Sequence, residues 1–127
     1  MKYLLLIHSN PETWGHPSFL HTKAGKALPE SARQALSDQL EKLLAELAEN
    51  GELVVAEPLD APEKTKVVRI RKGVRATTDG PYSEAKEQLA GVFIVDVATP
   101  ERAEEIAARI PEAQFVGVEL RPISVFD

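Results

Sequence analysis

The first strand-like segment, KYLLLIH at residues 2–8, is an almost continuous run of apolar residues. Alternation places the odd-numbered residues on one face and Leu4, Leu6 and His8 on the other. The segment is short and ends at SNPE, a run of residues that is typical of a turn. This pattern predicts a buried β-strand.

A different spacing follows between Pro29 and Gly51. Leucines recur three and four positions apart, as on one face of a helix, at Leu36, Leu40, Leu43, Leu44 and Leu47. Pro29 suits the start of a helix, and Asn50 with Gly51 suits its end. The pattern predicts a long α-helix over this segment.

Later segments predict three strands and a hairpin. The strand-like segments are ELVVAEP, VFIVDV and FVGVELRP, at residues 52–58, 92–97 and 115–122. KVVRIR and VRATT flank Lys72 and Gly73, a short connection that is typical of a β-hairpin.

A second helix is predicted over TPERAEEIAARIP, residues 99–111, because Thr99 can cap it and Pro100 suits its first position. The element order is therefore β-α-β, a hairpin insertion, and β-α-β. This order predicts an α+β fold of the ferredoxin-like, split βαβ type, with both helices on one face of an antiparallel sheet. We predict a single domain over residues 1–127.

Chain order brings several polar residues to one edge of this predicted sheet. The first strand and VFIVDV are antiparallel central neighbours in such a fold, so the end of the first, at His8, lies near Gly91. The second strand ends at the same edge, near Glu57. We therefore expect His8, the loop at residues 9–28 and the segment DGPYSEAKEQ (79–88) to converge.

The sheet face away from the helices is predicted to be a mixture of apolar and charged residues. Alternation in the last strand puts Val116, Val118 and Leu120 under the helices, and Phe115, Glu119 and Arg121 on the open face. A large mixed patch of this kind is rarely left exposed. Isologous pairing of two such faces would bury it, so we expect a homodimer.

Composition narrows the class of protein. The net charge of -5 disfavours nucleic-acid binding, which needs a basic face, and the basic run between residues 69 and 75 is typical of a solvated hairpin. The chain has no cysteine, which excludes disulfides, and no apolar segment reaches membrane-spanning length. We expect a cytoplasmic protein with neither a nucleic-acid nor a membrane partner.

Two residues near the predicted edge are candidates for proton transfer. An imidazole has an ordinary pKa of about 6.5, so His8 suits acid/base chemistry near neutrality. Alternatively, His8 is a strand-end histidine that bonds the backbone. Asp79 could orient an imidazole in one tautomer, or it could close its own turn before Gly80. Both interpretations stay open for each residue.

Four further side chains are candidates for binding a small organic molecule. Tyr82 could donate a hydrogen bond, Lys86 or Arg121 could hold an anionic group, and Trp14 could cover the site from the long loop. The alternatives are a half-buried tyrosine and ordinary solvated charges. The histidines of that loop match no established metal motif, and we predict neither a metal nor a cofactor.

Four stretches of the chain resemble one known family. MKYLLLIH, NGELVVAEPL, TTDGPYSEAKEQLAG and VELRP occur in this order over nearly the whole chain, and they resemble the YCII-related, DGPF-type family. Tyr82 stands where the family name has phenylalanine. The resemblance implies a dimeric α+β barrel built from ferredoxin-like units.

The resemblance leaves the activity open. The wider superfamily includes proton-transfer enzymes for which a His and Asp pair is suggested, and its best-known small members carry a histidine early in the long helix, where this sequence has Leu40 nearby. DGPF-type members are often associated with alternative sigma factors. The sequence thus favours an isomerase- or lyase-like enzyme that uses His8 and Asp79. The alternatives are a non-catalytic binding or regulatory module linked to transcription, and a structural dimer without a ligand.

Overall fold

The computed structural model describes residues 1–10, 19–80 and 87–126. Within these ranges the chain forms β1 (Lys2–Ser9), α1 (Lys23–Lys26), α2 (Glu30–Glu49), β2 (Leu53–Pro58), β3 (Lys66–Arg71), β4 (Val74–Asp79), β5 (Gln88–Asp96), α3 (Pro100–Ala108) and β6 (Val118–Pro122). One antiparallel sheet has the order β2-β5-β1-β6, and β3 pairs with β4 as a separate hairpin. The predicted ferredoxin-like α+β fold is confirmed.

The central strand β1 divides the sheet into two faces. Its alternate residues Tyr3, Leu5 and Ile7 are buried, while the residues between them are half-buried. Leu47 of α2 and Ile106 of α3 join the same apolar core and are completely buried. The helices α2 and α3 therefore cover one face, as the alternation in β1 predicts.

Local sequence sets the ends of the helices. Pro29 directly precedes α2, which ends before Gly51, and Gly51 has a φ of 73° that favours glycine. The Thr99 hydroxyl accepts a hydrogen bond from the Arg102 N–H at 3.1 Å, which caps α3. Pro100 occupies its first position, where the missing N–H costs nothing.

A charged cluster joins α2 to α3 on the surface of the core. The Arg102 guanidinium donates to Glu52 at 2.9 and 3.0 Å and to Glu46 at 3.1 Å, and Arg109 donates to the same Glu46 carboxylate. Hydrogen bonds from these guanidinium groups lower the pKa of Glu46, and the Arg102 bond lowers the pKa of Glu52. The cluster links α3 to the carboxyl-terminal end of α2.

The hairpin extends from the core with little burial. Lys72 and Gly73 have φ angles of 50° and 76°, the pair of positive values that a two-residue hairpin turn of type I′ requires. The side chains of Val68, Ile70 and Val74 are 58%, 67% and 66% exposed. The predicted hairpin is confirmed, and most of its apolar surface lies open within a single chain.

Strand ends meet at one edge of the four-stranded sheet, as chain order predicts. His8 lies opposite Leu89, and Pro58 at the end of β2 lies opposite Gly91. Ile7 also pairs with Gly91, so Ala90 has no partner in β1 and forms a β-bulge beside His8. Bulges re-aim the side chains next to them, and this one lies at the edge where a site is expected.

The last strand departs from the sequence prediction. Pro111–Gln114 form a 3-10 helix, and Gly117 has a φ of 116°, so β6 begins at Val118 rather than at residue 115. The prediction that Phe115 lies on the open sheet face is wrong, because its ring stacks on that of Phe19 with centroids 5.6 Å apart. Val118 and Leu120 do pack against the core, and Glu119 and Arg121 are exposed. The prediction for Val116 is wrong: it precedes β6 and is 51% exposed, because the strand begins only after Gly117.

Two other predictions differ in extent. β5 begins at Gln88, four residues before the predicted 92. The predicted loop at residues 9–28 contains a 3-10 turn at Phe19–His21 and the short helix α1, and its residues 11–18 lie outside the described ranges. No helix in the described part of the chain is long and apolar enough to cross a membrane.

Candidate functional site

A cavity of about 280 Å³ lies at the sheet edge where β1 ends. The polar side chains in its wall are those of His8, Ser9, Thr22, Lys23, Glu87 and Glu112, together with Asn10. The aromatic rings of Phe19 and Phe115 supply an apolar part. Small-molecule sites typically combine an apolar wall with a few convergent polar groups, so we call this the edge cavity and treat it as the candidate site.

The segment before α2 builds one wall of the edge cavity. The Thr22 hydroxyl donates to the Phe19 carbonyl at 2.6 Å and accepts from the Gly25 N–H at 3.0 Å. A Cβ at Gly25 would lie 2.0 Å from the Phe19 carbonyl oxygen, so only glycine permits this close turn. The Arg33 guanidinium donates to the Leu20 carbonyl at 3.1 Å and ties the segment to α2.

Glu112 is the buried acid of the edge cavity. The residue is 7% exposed, and the Phe19 N–H donates to its Oε1 at 3.3 Å. Burial raises the pKa of the Glu112 carboxyl, and the hydrogen bonds from its own N–H and that of Phe19 oppose the shift only in part. A carboxyl with a raised pKa can carry a proton closer to neutrality and donate it to a ligand.

His8 lies on the open face, at the end of β1 and beside the bulge. Its side chain is 27% exposed, and its Nδ1 lies 3.6 Å from Glu119 Oε1. This separation is too long for a hydrogen bond but within the range of an ion pair when the ring is protonated. His8, Glu87 and Glu119 also border a more open depression of about 380 Å³, so His8 belongs to the walls of both concave surfaces.

Asp79 has a different environment. It lies at the base of the hairpin, its side chain is 81% exposed, and the Lys66 ammonium donates to it at 2.5 Å. That hydrogen bond lowers the pKa of Asp79 and keeps the carboxylate ionised. Among the contacts of the described residues, His8 faces Glu119 and Asp79 faces Lys66. The pairing of His8 with Asp79 stays a prediction.

The predicted binding residues are spread along the chain. Arg121 lies opposite Leu4, four residues from His8 along β1, which corresponds to about 13 Å at roughly 3.3 Å per residue. Tyr82, Lys86 and Trp14 lie outside the described residues. Among the residues that are described, no cluster of three His, Cys, Asp or Glu side chains could hold a metal ion.

Ser9 and Glu112 were missed by the sequence interpretation. Ser9 is 2% exposed, yet in the sequence it belongs to a turn-like run after an apolar strand. Glu112 follows Pro111 at the end of a helix, where an acidic residue is ordinary. Its burial depends on Phe19, 93 residues away, and no local pattern reports that contact.

The order and direction of the strands, with two helices on one face, define a small ferredoxin-like α+β protein. The YCII-related domain matches residues 1–127, and the chain belongs to this family of uncharacterised small proteins. No curated protein was found to match the sequence.

Proposed function

We propose that this protein is a cytoplasmic enzyme that transfers protons on a small organic molecule bound in the edge cavity. The supporting observation is that His8 and the buried residue Glu112 line the same cavity. The two groups differ in chemical type and in burial, since the His8 side chain is 27% exposed and Glu112 is 7% exposed, and such differences in environment separate an acid from a base.

In the proposed reaction, neutral His8 takes a proton from a carbon next to a carbonyl group of the substrate. Protonated Glu112 gives its proton to the carbonyl oxygen, so that no net charge accumulates on the substrate. Return of the proton from His8 to a different carbon, while the enol hydroxyl gives its proton back to Glu112, completes an isomerisation. Departure of a leaving group from the β-carbon with the proton held by His8, while the enol proton again returns to Glu112, completes an elimination. Lys23, which also lines the cavity, supplies a cation for an anionic part of the substrate.

The test is a thermal-shift screen of small metabolites, followed by NMR of each stabilising compound in D₂O with catalytic amounts of protein. A proton-transfer enzyme exchanges a carbon-bound hydrogen of its substrate for deuterium, which a binding protein has no reason to do. We expect the exchange to fall by at least about 100-fold in His8→Gln and in Glu112→Gln, the scale of a general acid or base.

Glu104→Gln is the matched control, because Glu104 is exposed on α3, away from the cavity. Asp79→Asn belongs in the same series, since the sequence assigns Asp79 to the catalytic pair. Loss of exchange in Asp79→Asn would support the catalytic pair of His8 and Asp79. If compounds bind but none exchanges hydrogen for deuterium, the protein is a binding protein and the enzyme proposal is rejected.

The proposal includes a homodimer. On the open face, Leu4, Leu6, Val92 and Ile94 are half-buried and lie side by side across β1 and β5. Pairing of two such faces would remove this apolar surface from water. We expect a dimer by sedimentation velocity at micromolar concentration and a monomer for Leu6→Glu. Ala45→Glu on the exposed surface of α2 is the control, and a monomeric parent protein would reject the dimer.

A second candidate is a regulatory module that docks on another protein. The hairpin favours it, because the side chains of Val68 and Ile70 are exposed beside the basic residues Arg71 and Lys72. Two-stranded hairpins are marginally stable alone, and a partner would cover this surface. Under this candidate Ile70→Asp abolishes partner capture while His8→Gln leaves it intact. Under the enzyme proposal, His8→Gln abolishes deuterium exchange while Ile70→Asp leaves it intact.

A further inference from the structure

A second cavity, of about 250 Å³, lies between α2 and the core face of the sheet. Its wall is almost entirely apolar, with Leu40 and Leu44 from α2, Ile7 and Phe93 from the central strands, and Ile110 after α3. We call it the helix cavity. It is separate from the edge cavity, and among the polar side chains of the described residues only Glu112 borders both.

The size of the helix cavity exceeds ordinary packing defects. Protein interiors are close-packed, and voids larger than a water molecule are few. An apolar cavity of about 150 Å³ in another protein stays dry and takes up benzene. The helix cavity is larger than that, and the exposed residues Glu57 and Pro58 in its wall mark where it reaches solvent.

Gly91 is one reason that this space is empty. It is buried in the central strand β5, and its φ lies outside the left-handed region, so the backbone does not demand glycine there. A Cβ at Gly91 would meet the Glu57 carbonyl oxygen at 3.4 Å and Ile7 Cδ1 at 3.9 Å, which are ordinary contacts. Glycine weakens a strand interior, so a residue that costs stability preserves the cavity.

Ala56 contributes in the same way. It lies opposite Phe93, on the core side of β2, where a larger apolar residue would fill the helix cavity. Small side chains at two neighbouring wall positions keep open a space that the fold could close. The cavity therefore has the geometry of a site rather than of a packing defect.

We propose that the helix cavity binds a compact, uncharged molecule with one ring and one hydrogen-bond acceptor, such as an aryl ketone. The apolar wall accepts the ring, and the volume accommodates a ring with a short substituent. Glu112 supplies the polar contact, because the O–H of its protonated carboxyl can donate a hydrogen bond to the acceptor. A carboxylate ligand is disfavoured because the Glu112 and Glu57 side chains belong to the same wall.

The proposal is independent of proton transfer at His8. The wall of the helix cavity includes Glu112 but not His8. Binding of a molecule there therefore needs no imidazole, and His8→Gln separates the two sites. If a molecule binds in the helix cavity and no compound exchanges hydrogen for deuterium, the proposed binding site is supported and the proposed enzyme is rejected.

The experiment is an NMR titration of the ¹⁵N-labelled protein with three probes of nearly equal size: acetophenone, benzoate and benzylammonium. We expect saturable binding of acetophenone, with shifts at the amides of Gly91, Leu40 and Leu44. Binding to benzoate and benzylammonium should be at least about tenfold weaker. Tighter binding of either ion would overturn the ligand class, and a linear, non-saturating response to all three would overturn the site.

Two filling variants test the location. Gly91→Ala should weaken acetophenone binding several-fold while raising the melting temperature, since a methyl group fills unused space in a strand. Ala56→Leu should abolish binding, and Ala48→Leu on the exposed surface of α2 adds the same atoms and should change nothing. If one filling variant fails to fold, the other still decides, and acetophenone binding that survives in a folded filling variant rejects this cavity.

Discussion

Leu5 and Val95 of the four-stranded sheet are completely buried, whereas Ile70 and Val74 of the hairpin are 67% and 66% exposed. Both regions are antiparallel, and both contain branched apolar residues. They differ in what lies against them, because α2 and α3 pack on the sheet, whereas the hairpin side chains stay exposed to solvent among the described residues. Within one chain, the sheet therefore owes its stability to burial, while the hairpin relies on its turn and its ladder.

The same contrast extends to the carboxyl groups. Glu112, against the core, is buried and its pKa is raised, whereas Asp79, at the base of the hairpin, is exposed and its pKa is lowered by Lys66. Burial favours the neutral form of an acid, and an ammonium partner favours the ionised form. One domain thus offers a proton donor near its core and a fixed negative charge at its periphery.

The largest expected effect separates the two regions by stability. Leu47→Ala empties a site that is 0% exposed and should lower the free energy of unfolding by about 2–5 kcal/mol. Ile70→Ala should change it by less than about 0.5 kcal/mol, because an exposed side chain leaves no cavity. Urea denaturation of both variants measures the difference. A comparable loss in Ile70→Ala at concentrations where a dimer forms would show that a partner covers the hairpin.

A smaller effect is expected from the charged cluster between the helices. Arg102→Ala leaves the Glu46 and Glu52 carboxylates without their shared donor, and Glu52 is only 15% exposed. Hydrogen bonds to charged groups contribute about 1.5–3 kcal/mol, and partial exposure reduces this to roughly 1–2 kcal/mol. The exposed pair of Lys64 with Asp60, removed by Lys64→Ala, should cost less than about 0.5 kcal/mol. Equal losses in thermal or urea unfolding would contradict the ranking.

The smallest expected effects are the pH trends of Glu112 and Asp79. Because the folded pKa of Glu112 lies above its usual 4.5, ionisation of the unfolded chain destabilises the fold as pH rises through and beyond that value. Glu112→Gln should therefore gain stability relative to the parent protein between pH 4 and pH 7.

Asp79 should show the opposite trend. Its folded pKa lies below its usual 3.8, so its stabilising effect is present above pH 3.8 and disappears as pH falls through the folded value. Asp79→Asn should lower the free energy of unfolding more at pH 7 than near pH 2. Denaturation curves at several pH values provide the test, and parallel trends for the two variants would mean that their environments are alike.

The sequence predicts the elements whose patterns are local. Alternation in β1, the leucine spacing of α2 and the pair Lys72–Gly73 each determine an element, and the structure confirms all three. The predicted start of β6 was wrong, because alternation from Phe115 onward does not reveal that Gly117 adopts a positive φ. A glycine in a strand-like segment is compatible with both conformations.

The candidate site is less predictable than the fold. Strand order was enough to bring His8 to the edge where β2 ends and β5 begins. The burial of Glu112 depends on its contact with Phe19, which lies 93 residues away and belongs to a segment without periodicity. Contacts of this kind depend on the packing of loops, and a pattern of apolar and polar residues does not encode them.

The β-bulge at Ala90 has a consequence for how this scaffold can change. Because the extra residue interrupts the ladder beside His8, the pairing from Ile7 back to Lys2 does not depend on the pairing of His8 and Ser9. Insertion or deletion of a single residue at this point would turn the last part of the strand and present different side chains to a bound molecule. The core would keep its register, so substrate preference could diverge without any redesign of the interior.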